Sequence, residues 1–337
     1  MKTNALLLAL LLTLGAACNS NPDGGDPEEM LEMHREFALR YYDENQLGQA
    51  LQQVEKGLEI RARDEKLRIM KGWIHQRLGT AEDVFIAEQT FRDLLSTRDY
   101  RVILGLGEAL ERKGVLFWES ADAVEAGRRY TAARDRKQRT AELRGKAHEA
   151  WDESVRRYEE TLERKPGEIQ AINGLQRVHA LRGEHEEALR WSRKLLKMVA
   201  AEAAFWARQL ERPDLSADEE RRLRELLSSS DQLELETRLQ VARLLFGLDR
   251  LPEALVELDL VLLIDPTAPG IHGRRAQLLH RTGQVEEALA SLENYLRFSE
   301  EEFDHPDVER ALELMVRWQR ELEEAALLEA PVPASPE

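Results

Sequence analysis

Eight histidines and one cysteine are the side chains best suited to metal or nucleophilic chemistry in these 337 residues, and their spacing assembles no site. His185-Glu186 opens like the His-Glu-x-x-His helix that binds zinc and carries a general base. The position that needs the second histidine is Leu189. His272 and His280 miss the i, i+4 spacing that brings two ligands onto one helix face, and His179 and His185 flank an expected turn. Gly105-Leu106-Gly107 falls inside an amphipathic helix with no strand before it, so it is no phosphate loop. No Gly-x-Ser-x-Gly elbow occurs. Asp and Glu number 64, and many of them pair along helices, where carboxylates are solvated; a catalytic pair needs a pocket that shifts one pKa. The sequence therefore nominates no catalytic, metal-binding or cofactor-binding residue.

The single cysteine, Cys18, follows a different pattern. Met1-Lys2-Thr3-Asn4 carries one positive charge, Ala5 to Leu14 is an apolar run, and Gly15-Ala16-Ala17 supplies small residues before Cys18. These features describe a secretory leader over 1–17. The run is about half the ~20 residues a transmembrane helix needs. Leu14-Gly15-Ala16-Ala17-Cys18 resembles the bacterial lipobox, in which the cysteine is acylated and becomes the new N-terminus. Ordinary cleavage after Ala17, leaving a free thiol, is the alternative. Acyl chains on Cys18 would anchor the chain without any spanning helix. Residues 18–29, polar and rich in Pro and Gly, read as a tether. Asn19 is not the aspartate associated with inner-membrane retention, so the resemblance implies the outer membrane if the source has two.

Composition excludes some partners. A formal charge of -16 opposes nucleic acid as the main partner, because a phosphate backbone would be repelled. With no second cysteine, no intramolecular disulfide is available, and apolar packing must hold the fold.

What must position any functional surface is a repeat. Gly283-Gln284-Val285-Glu286-Glu287-Ala288-Leu289 and Gly183-Glu184-His185-Glu186-Glu187-Ala188-Leu189 share a glycine turn followed by Glu-Glu-Ala-Leu. Asp249 to Leu255 and Asn45 to Leu51 are further copies. Ala254 and Ala288 stand 34 positions apart (288 - 254), as do Ser154 and Ala188 (188 - 154). Ala50, Ala188, Ala254 and Ala288 read as the small residues where two helices cross. Ala38, Gly72, Gly107, Ala242 and Ala276 read as their counterparts on first helices, with large apolar residues at helical spacing around both sets. These residues resemble the tetratricopeptide repeat (TPR) family over about residues 30–302. The resemblance implies an all-α fold, an α-α superhelix or solenoid of antiparallel helical hairpins that binds other proteins.

Six hairpins are expected at about 31–64, 65–99, 100–168, 169–202, 235–268 and 269–302, in an N-terminal block (30–202) and a C-terminal tandem (235–302). The third is too long for one repeat. Its excess, 115–149, contains no proline and no obvious turn, and reads as one long helix in preference to a degenerate repeat. A helical spacer at 203–234 is opened by a Ser216-Ala217-Asp218-Glu219 capping box. A capping helix over 303–329 would cover the last hairpin with Val308, Leu312, Met315 and Val316, and 330–337 would be a disordered tail.

Within the resemblance, first helices line the concave groove. Carried over by position, the candidates are Arg35, Leu39 and Tyr42, then Ile69, Trp73 and Gln76, then Leu104, Glu108 and Glu111. Asn173 and Arg177, then Leu239, Arg243 and Phe246, then Gln277, His280 and Arg281 continue the series. Trp, Tyr, Phe and Arg dominate interface energetics, although packing between hairpins would use the same rings. The Lys/Asn pattern by which some relatives clamp a C-terminal carboxylate is not evident. One charge anomaly remains: Arg128, Arg129, Arg134, Arg136, Lys137, Arg139, Arg144 and Lys146 stand against only Asp135 and Glu142. This reads as internal neutralisation of acidic neighbours or as an anion-facing patch. The expectation is a membrane-tethered, non-catalytic interaction scaffold or assembly factor of the bacterial cell envelope, with a protein partner, no nucleic acid and no cofactor. The alternative is an enzyme, or a regulatory subunit of one, acting on cell-wall material.

Overall fold

The structure is a computed structural model that describes residues 26–127, 133–301 and 305–329. The leader, Cys18 and the tail at 330–337 lie outside these residues. All regular structure among them is helical, thirteen α-helices and one short 3₁₀ turn (Leu95–Thr97). The chain divides into two compact units, residues 1–157 and 158–337. The first holds α1 (Pro27–Asp43), α2 (Leu47–Ile60), α3 (Glu65–Leu78), α4 (Ala81–Leu94), α5 (Tyr100–Glu125) and most of α6 (Ala133–Arg164). The second holds the end of α6 and then α7 (Ile169–Leu181), α8 (His185–Leu210), α9 (Ala217–Gly247) and α10 (Leu251–Ile264). Its last elements are α11 (Pro269–Arg281), α12 (Val285–Phe298) and α13 (Pro306–Glu329). The fold is thus all-α and of TPR type. The end of the expected tether is already helical, since Asp26 caps α1 by accepting from the Glu28 N–H at 3.1 Å.

The repeat is visible in its turns. Asn45, Gly183, Asp249 and Gly283 all adopt left-handed backbone, with φ of 58, 76, 58 and 82°. Each donates its N–H to the carbonyl three residues back (3.0–3.1 Å), and the next residue donates to the carbonyl five back (2.8–2.9 Å). This paired closure satisfies the orphan carbonyls at the end of the first helix and returns the chain at a fixed angle. Asn and Asp serve in two copies because they tolerate this conformation best after glycine.

The small residues at the crossings do what the pattern requires. Ala50, Ala188, Ala254 and Ala288 are fully buried, and so are Ala38 and Ala276. Ser154 is also fully buried, its hydroxyl donating to the Gly107 carbonyl at 2.7 Å. Glycines go further and form sockets for aromatic rings. A Cβ on Gly72 or Gly105 would lie 2.6 or 2.4 Å from Phe91 Cζ, and one on Gly114 would lie 2.2 Å from Trp151 Nε1. In the second unit, Gly174 holds Tyr158 in the same way, 2.2 Å from its Cζ.

The stretch expected as an uninterrupted helix over 115–149 requires a correction. Long helices are present, but there are two: α5 ends at Ala126-Gly127, where Gly127 takes a φ of 75°, and α6 begins at Ala133. They run antiparallel, with Trp151 Nε1 donating to the Glu111 carbonyl (3.2 Å) and Arg144 paired to Glu125 (2.5 Å). A lone glycine outside any Pro, Asn or Ser cluster carries the whole turn signal, which is why the turn was not legible. The expected spacer at 203–234 likewise belongs to long helices, the end of α8 and the start of α9. The Ser216–Glu219 capping box forms as read, with Glu219 N–H to Ser216 Oγ at 3.3 Å and Ser216 N–H to Glu219 Oε2 at 3.0 Å.

Between Ala204 and Ser229 no residue is buried. That stretch buries no side chain fully, so its backbone hydrogen bonds have little cover from solvent. Native-state hydrogen exchange should therefore show its amides exchanging far faster than those of α10 and α12. Equal protection across the second unit would contradict this packing argument.

The cap also departs from expectation in its rotation. Val308, Ala311 and Trp318 are buried and Leu314 and Met315 partly so, whereas Leu312 and Val316 are 38% and 57% exposed. Trp318 fixes the covering face by stacking on His280, ring centroids 4.3 Å apart and planes 12° apart. His280 Nε2 also meets Glu321 at 2.7 Å. Leu312 and Val316 lie on the other side of the helix.

Candidate functional site

In the first unit, five of the candidate groove residues meet around one concavity of about 390 Å³: Arg35, Leu39 and Tyr42 of α1 with Ile69 and Trp73 of α3. Met70 adds to its apolar floor, and Glu32, Glu36, Lys66 and Arg101 form a polar rim. Leu39 is 50% exposed. Trp73 does two things at once: one edge packs against Phe91 in a T-shaped contact at 5.5 Å, while the remainder is partly open. Tyr42 lies under the Arg77 guanidinium, 4.8 Å from the ring centroid, and Arg77 also donates to the Tyr42 carbonyl at 3.0 Å. Burial pushes the Tyr42 hydroxyl above the usual phenol range, with Arg77 opposing it.

The charges at this site are mostly committed. Arg35 is held by Asp64 and Glu32, which raises its pKa further. Burial opposes ionisation of Asp64, but the Arg35 guanidinium and the Leu67 N–H outweigh it and keep the carboxyl below its ordinary range. The pair ties α1 to the start of α3 and so sets the walls of the concavity. Arg101 is paired to Asp99 at 2.6 Å. What remains is an apolar, partly aromatic floor able to bury side chains of a partner, with no nucleophile and base in contact.

Other candidates in this unit lie elsewhere. Leu104 is only 2% exposed, because α5 packs against α3 and α4 and pairs with α6, and Val102 to Gly107 are all buried. It belongs to the core and not to a groove. Gln76, Glu108 and Glu111 are partly buried, and none lines the concavity.

In the second unit, Leu239, Arg243 and Phe246 of α9 and Gln277 of α11 line a separate concavity of about 250 Å³, joined by Arg274 and Leu278. Phe246 is 43% exposed, with the Arg281 guanidinium 4.7 Å above its ring. Arg281 is paired to Asp249 at 3.1 Å. His280 does not reach the concavity, since Trp318 of the cap covers it. Asn173 is partly buried and Arg177 exposed on α7, apart from that group.

Part of the basic segment is paired with carboxylates within the first unit. Arg128 and Arg129 lie outside the described residues. Arg139 and Lys146 both pair with Glu142 (2.7 and 3.1 Å). Arg144 pairs with Glu125 and lies 5.1 Å over the Trp118 ring. Arg134 and Lys137 are exposed, and Arg136 is partly buried.

Sequence reasoning missed Glu32, Glu36, Lys66, Met70, Arg101, Arg274 and Leu278. Helical spacing held a signal: Glu32, Glu36, Lys66, Met70 and Arg274 each stand three residues before a candidate, namely Arg35, Leu39, Ile69, Trp73 and Gln277. Arg101 stands in the same relation to Leu104, but Leu104 is buried in the core, and Arg101 reaches the concavity from the first turn of a neighbouring helix. Also unforeseen was Glu88, only 7% exposed and bridged by Arg92 (3.0 Å) and Lys113 (2.8 Å). Arg92 in turn grips Glu153 through two hydrogen bonds of 2.8 and 2.7 Å, and this holds the Glu153 carboxyl below its ordinary range.

No group of three or more His, Cys, Asp or Glu among the described residues is placed to hold a metal ion. No described helix is long and apolar enough to cross a membrane. No protein-family model matches the chain, and no curated protein sequence matches it. Among solved structures, a thermophilic TPR protein from Thermus thermophilus is 16% identical, with 75% of this chain and 99% of that one covered and a TM-score of 0.42. The Pseudomonas aeruginosa pilF protein is 13% identical, covering 84% of this chain and 98% of that one, with a TM-score of 0.49. A tetratricopeptide repeat protein from Parabacteroides merdae is 13% identical, covering 86% and 99%, with a TM-score of 0.33. At TM-scores this low the likenesses carry no functional argument, and the assignment of the fold rests on the turns and crossings of the chain itself.

Proposed function

We propose that the chain is a protein-interaction scaffold or assembly factor of the bacterial cell envelope, tethered to a membrane through acylated Cys18 and without catalytic activity of its own. The observation that carries the interaction reading is the concavity of the first unit. Its exposed Leu39, half-packed Trp73 and partly covered Tyr42 form an apolar floor with a polar rim, the pattern of an interface hot spot. The tether rests on the leader and lipobox-like residues alone, and with it the outer-membrane location in a source with two membranes.

Crosslinking in native membranes followed by mass spectrometry tests both parts. The full chain should recover one stoichiometric envelope protein, and Leu39→Glu should reduce that recovery roughly tenfold, because a charge placed at a desolvated apolar contact costs about 1.4 kcal/mol or more. Cys18→Ala should release the chain from the membrane fraction. Recovery of no partner, or of the same partner by Leu39→Glu, would defeat the groove reading; a membrane-bound Cys18→Ala would defeat the tether.

A further inference from the structure

The concavity of the second unit has a charge pattern that runs against the chain as a whole. Asp and Glu exceed Lys and Arg by 64 to 48, so arginines here have a surplus of carboxylates to meet. In the tandem hairpins most of them do. Arg238 holds Glu234 and Glu257 at 2.7 and 2.9 Å, Arg250 holds Glu253 at 2.7 Å, and Arg275 holds Asp259 at 2.6 Å. Arg243 and Arg274 reach no carboxylate among the described residues. Arg243 has only the Gln240 side-chain oxygen at 3.4 Å. Arg297 of α12 is similarly without a carboxylate, but it does not line the concavity.

Both unpaired arginines are exposed, and both line the concavity, one from α9 and one from α11. Leu239, Leu278 and the exposed Phe246 line the same concavity. No Asp or Glu lines the concavity. Positive potential beside an apolar floor is complementary to a segment that offers carboxylates beside an apolar side chain.

We propose that this concavity binds an acidic peptide segment in which a Leu, Phe or Met is flanked by Asp or Glu. The apolar side chain occupies the space against Leu239, Phe246 and Leu278, and the flanking carboxylates accept from Arg243 and Arg274. Side-chain carboxylates suffice, so the segment need not be a chain terminus. This proposal rests on the protein-interaction reading and specifies the partner's chemistry at one of its surfaces.

A random peptide library displayed on phage and selected against the full chain provides the test. A chain of charge -16 would by long-range attraction enrich basic peptides, so the proposal makes the opposite demand. Enriched peptides should join Asp or Glu to Leu, Phe or Met. Their affinity should fall about tenfold in Arg243→Gln/Arg274→Gln, the loss expected for two charge-assisted contacts on a solvent-facing site. Arg243→Glu/Arg274→Glu should switch the selected flanks to Lys or Arg. Since both arginines are exposed, thermal melts of these variants should match the parent and exclude misfolding as the cause. Enrichment of basic or uncharged peptides, or acidic peptides indifferent to both double variants, would overturn the proposal while leaving the interaction reading standing. Preference for phosphatidylglycerol vesicles over every peptide would overturn it in favour of a lipid surface. A library that yields no binder at all would remove the interaction reading as well.

Discussion

Gly105→Ala should destabilise the first unit by about 1–2 kcal/mol net, although alanine favours a helix interior over glycine by ~1 kcal/mol. The added Cβ would lie 2.4, 2.6 and 2.7 Å from three atoms of the Phe91 ring. The ring is fully buried and faces Gly72 on another side, where a Cβ would also come within 2.6 Å, so it has nowhere to retreat. Either the helices separate, at an overpacking cost of ~1–3 kcal/mol, or the ring leaves, at a loss of ~3–5 kcal/mol. Both exceed the gain in propensity. The same substitution at Gly145 should do the opposite. Gly145 is exposed within α6 with nothing inside 4 Å of the added carbon, so Gly145→Ala should stabilise by about 0.5–1 kcal/mol. Urea unfolding followed by circular dichroism measures both. A Gly105→Ala variant as stable as the parent would show that the Phe91 socket is looser than its geometry.

Trp151→Ala carries the largest expected effect, a loss of about 3–5 kcal/mol for removing a buried indole. Trp151 is 1% exposed, rests on Gly114, and packs against Trp118 and His148 with ring centroids 5.5 Å from each. Its Nε1 is bonded to the Glu111 carbonyl, so the side chain fastens α6 to α5 by both area and direction. Beyond it toward the turn, among the described residues, a small cluster of Ala121, Val124 and Leu143 with Phe117 and the Arg144–Glu125 pair hold the two helices together. Loss of the indole should therefore fray that distal part first. Trp151→Phe should retain more of the stability than alanine, since it keeps a ring in the socket but loses the hydrogen bond. Coincident unfolding curves for Trp151→Ala and the parent would refute the assignment of this side chain as the fastener.

Much of the fold was legible because its rules are local. A turn residue able to adopt positive φ, a small residue four positions into the second helix, and an apolar stripe between them recur at Asn45, Gly183, Asp249 and Gly283, and each forms as read. Helix length was less legible. Nothing in the pattern says where α5 stops except Gly127, and an amphipathic pattern continues unchanged from repeat into extension on α8 and α9. The site was legible to the extent that helical phase decides it. Arg35, Leu39, Tyr42, Ile69 and Trp73 gather because they share faces of α1 and α3. Phase failed for Leu104, because the other helices packed around α5 bury a face that a regular array would leave open. It failed for His280 because a helix 25 residues further along the chain (306 - 281) supplies Trp318 to cover it. Ion pairing between helices is tertiary, so neither the burial of Glu88 with its Lys113 bridge nor the unpaired Arg243 and Arg274 could be read in advance, whereas the Glu88–Arg92 pair is local.

The stacking of Trp318 on His280 also bears on how many molecules can join. Hairpins of this type are built to receive another like themselves, so an open last hairpin would accept the first hairpin of a second molecule. Such head-to-tail contacts do not close and grow into filaments. By occupying that face with Val308, Ala311 and Trp318, and by locking its own rotation through His280 and Glu321, α13 acts as a chain terminator. The array ends as a finite object at this end, one whose remaining exposed surface is available for a different kind of partner than another copy of itself.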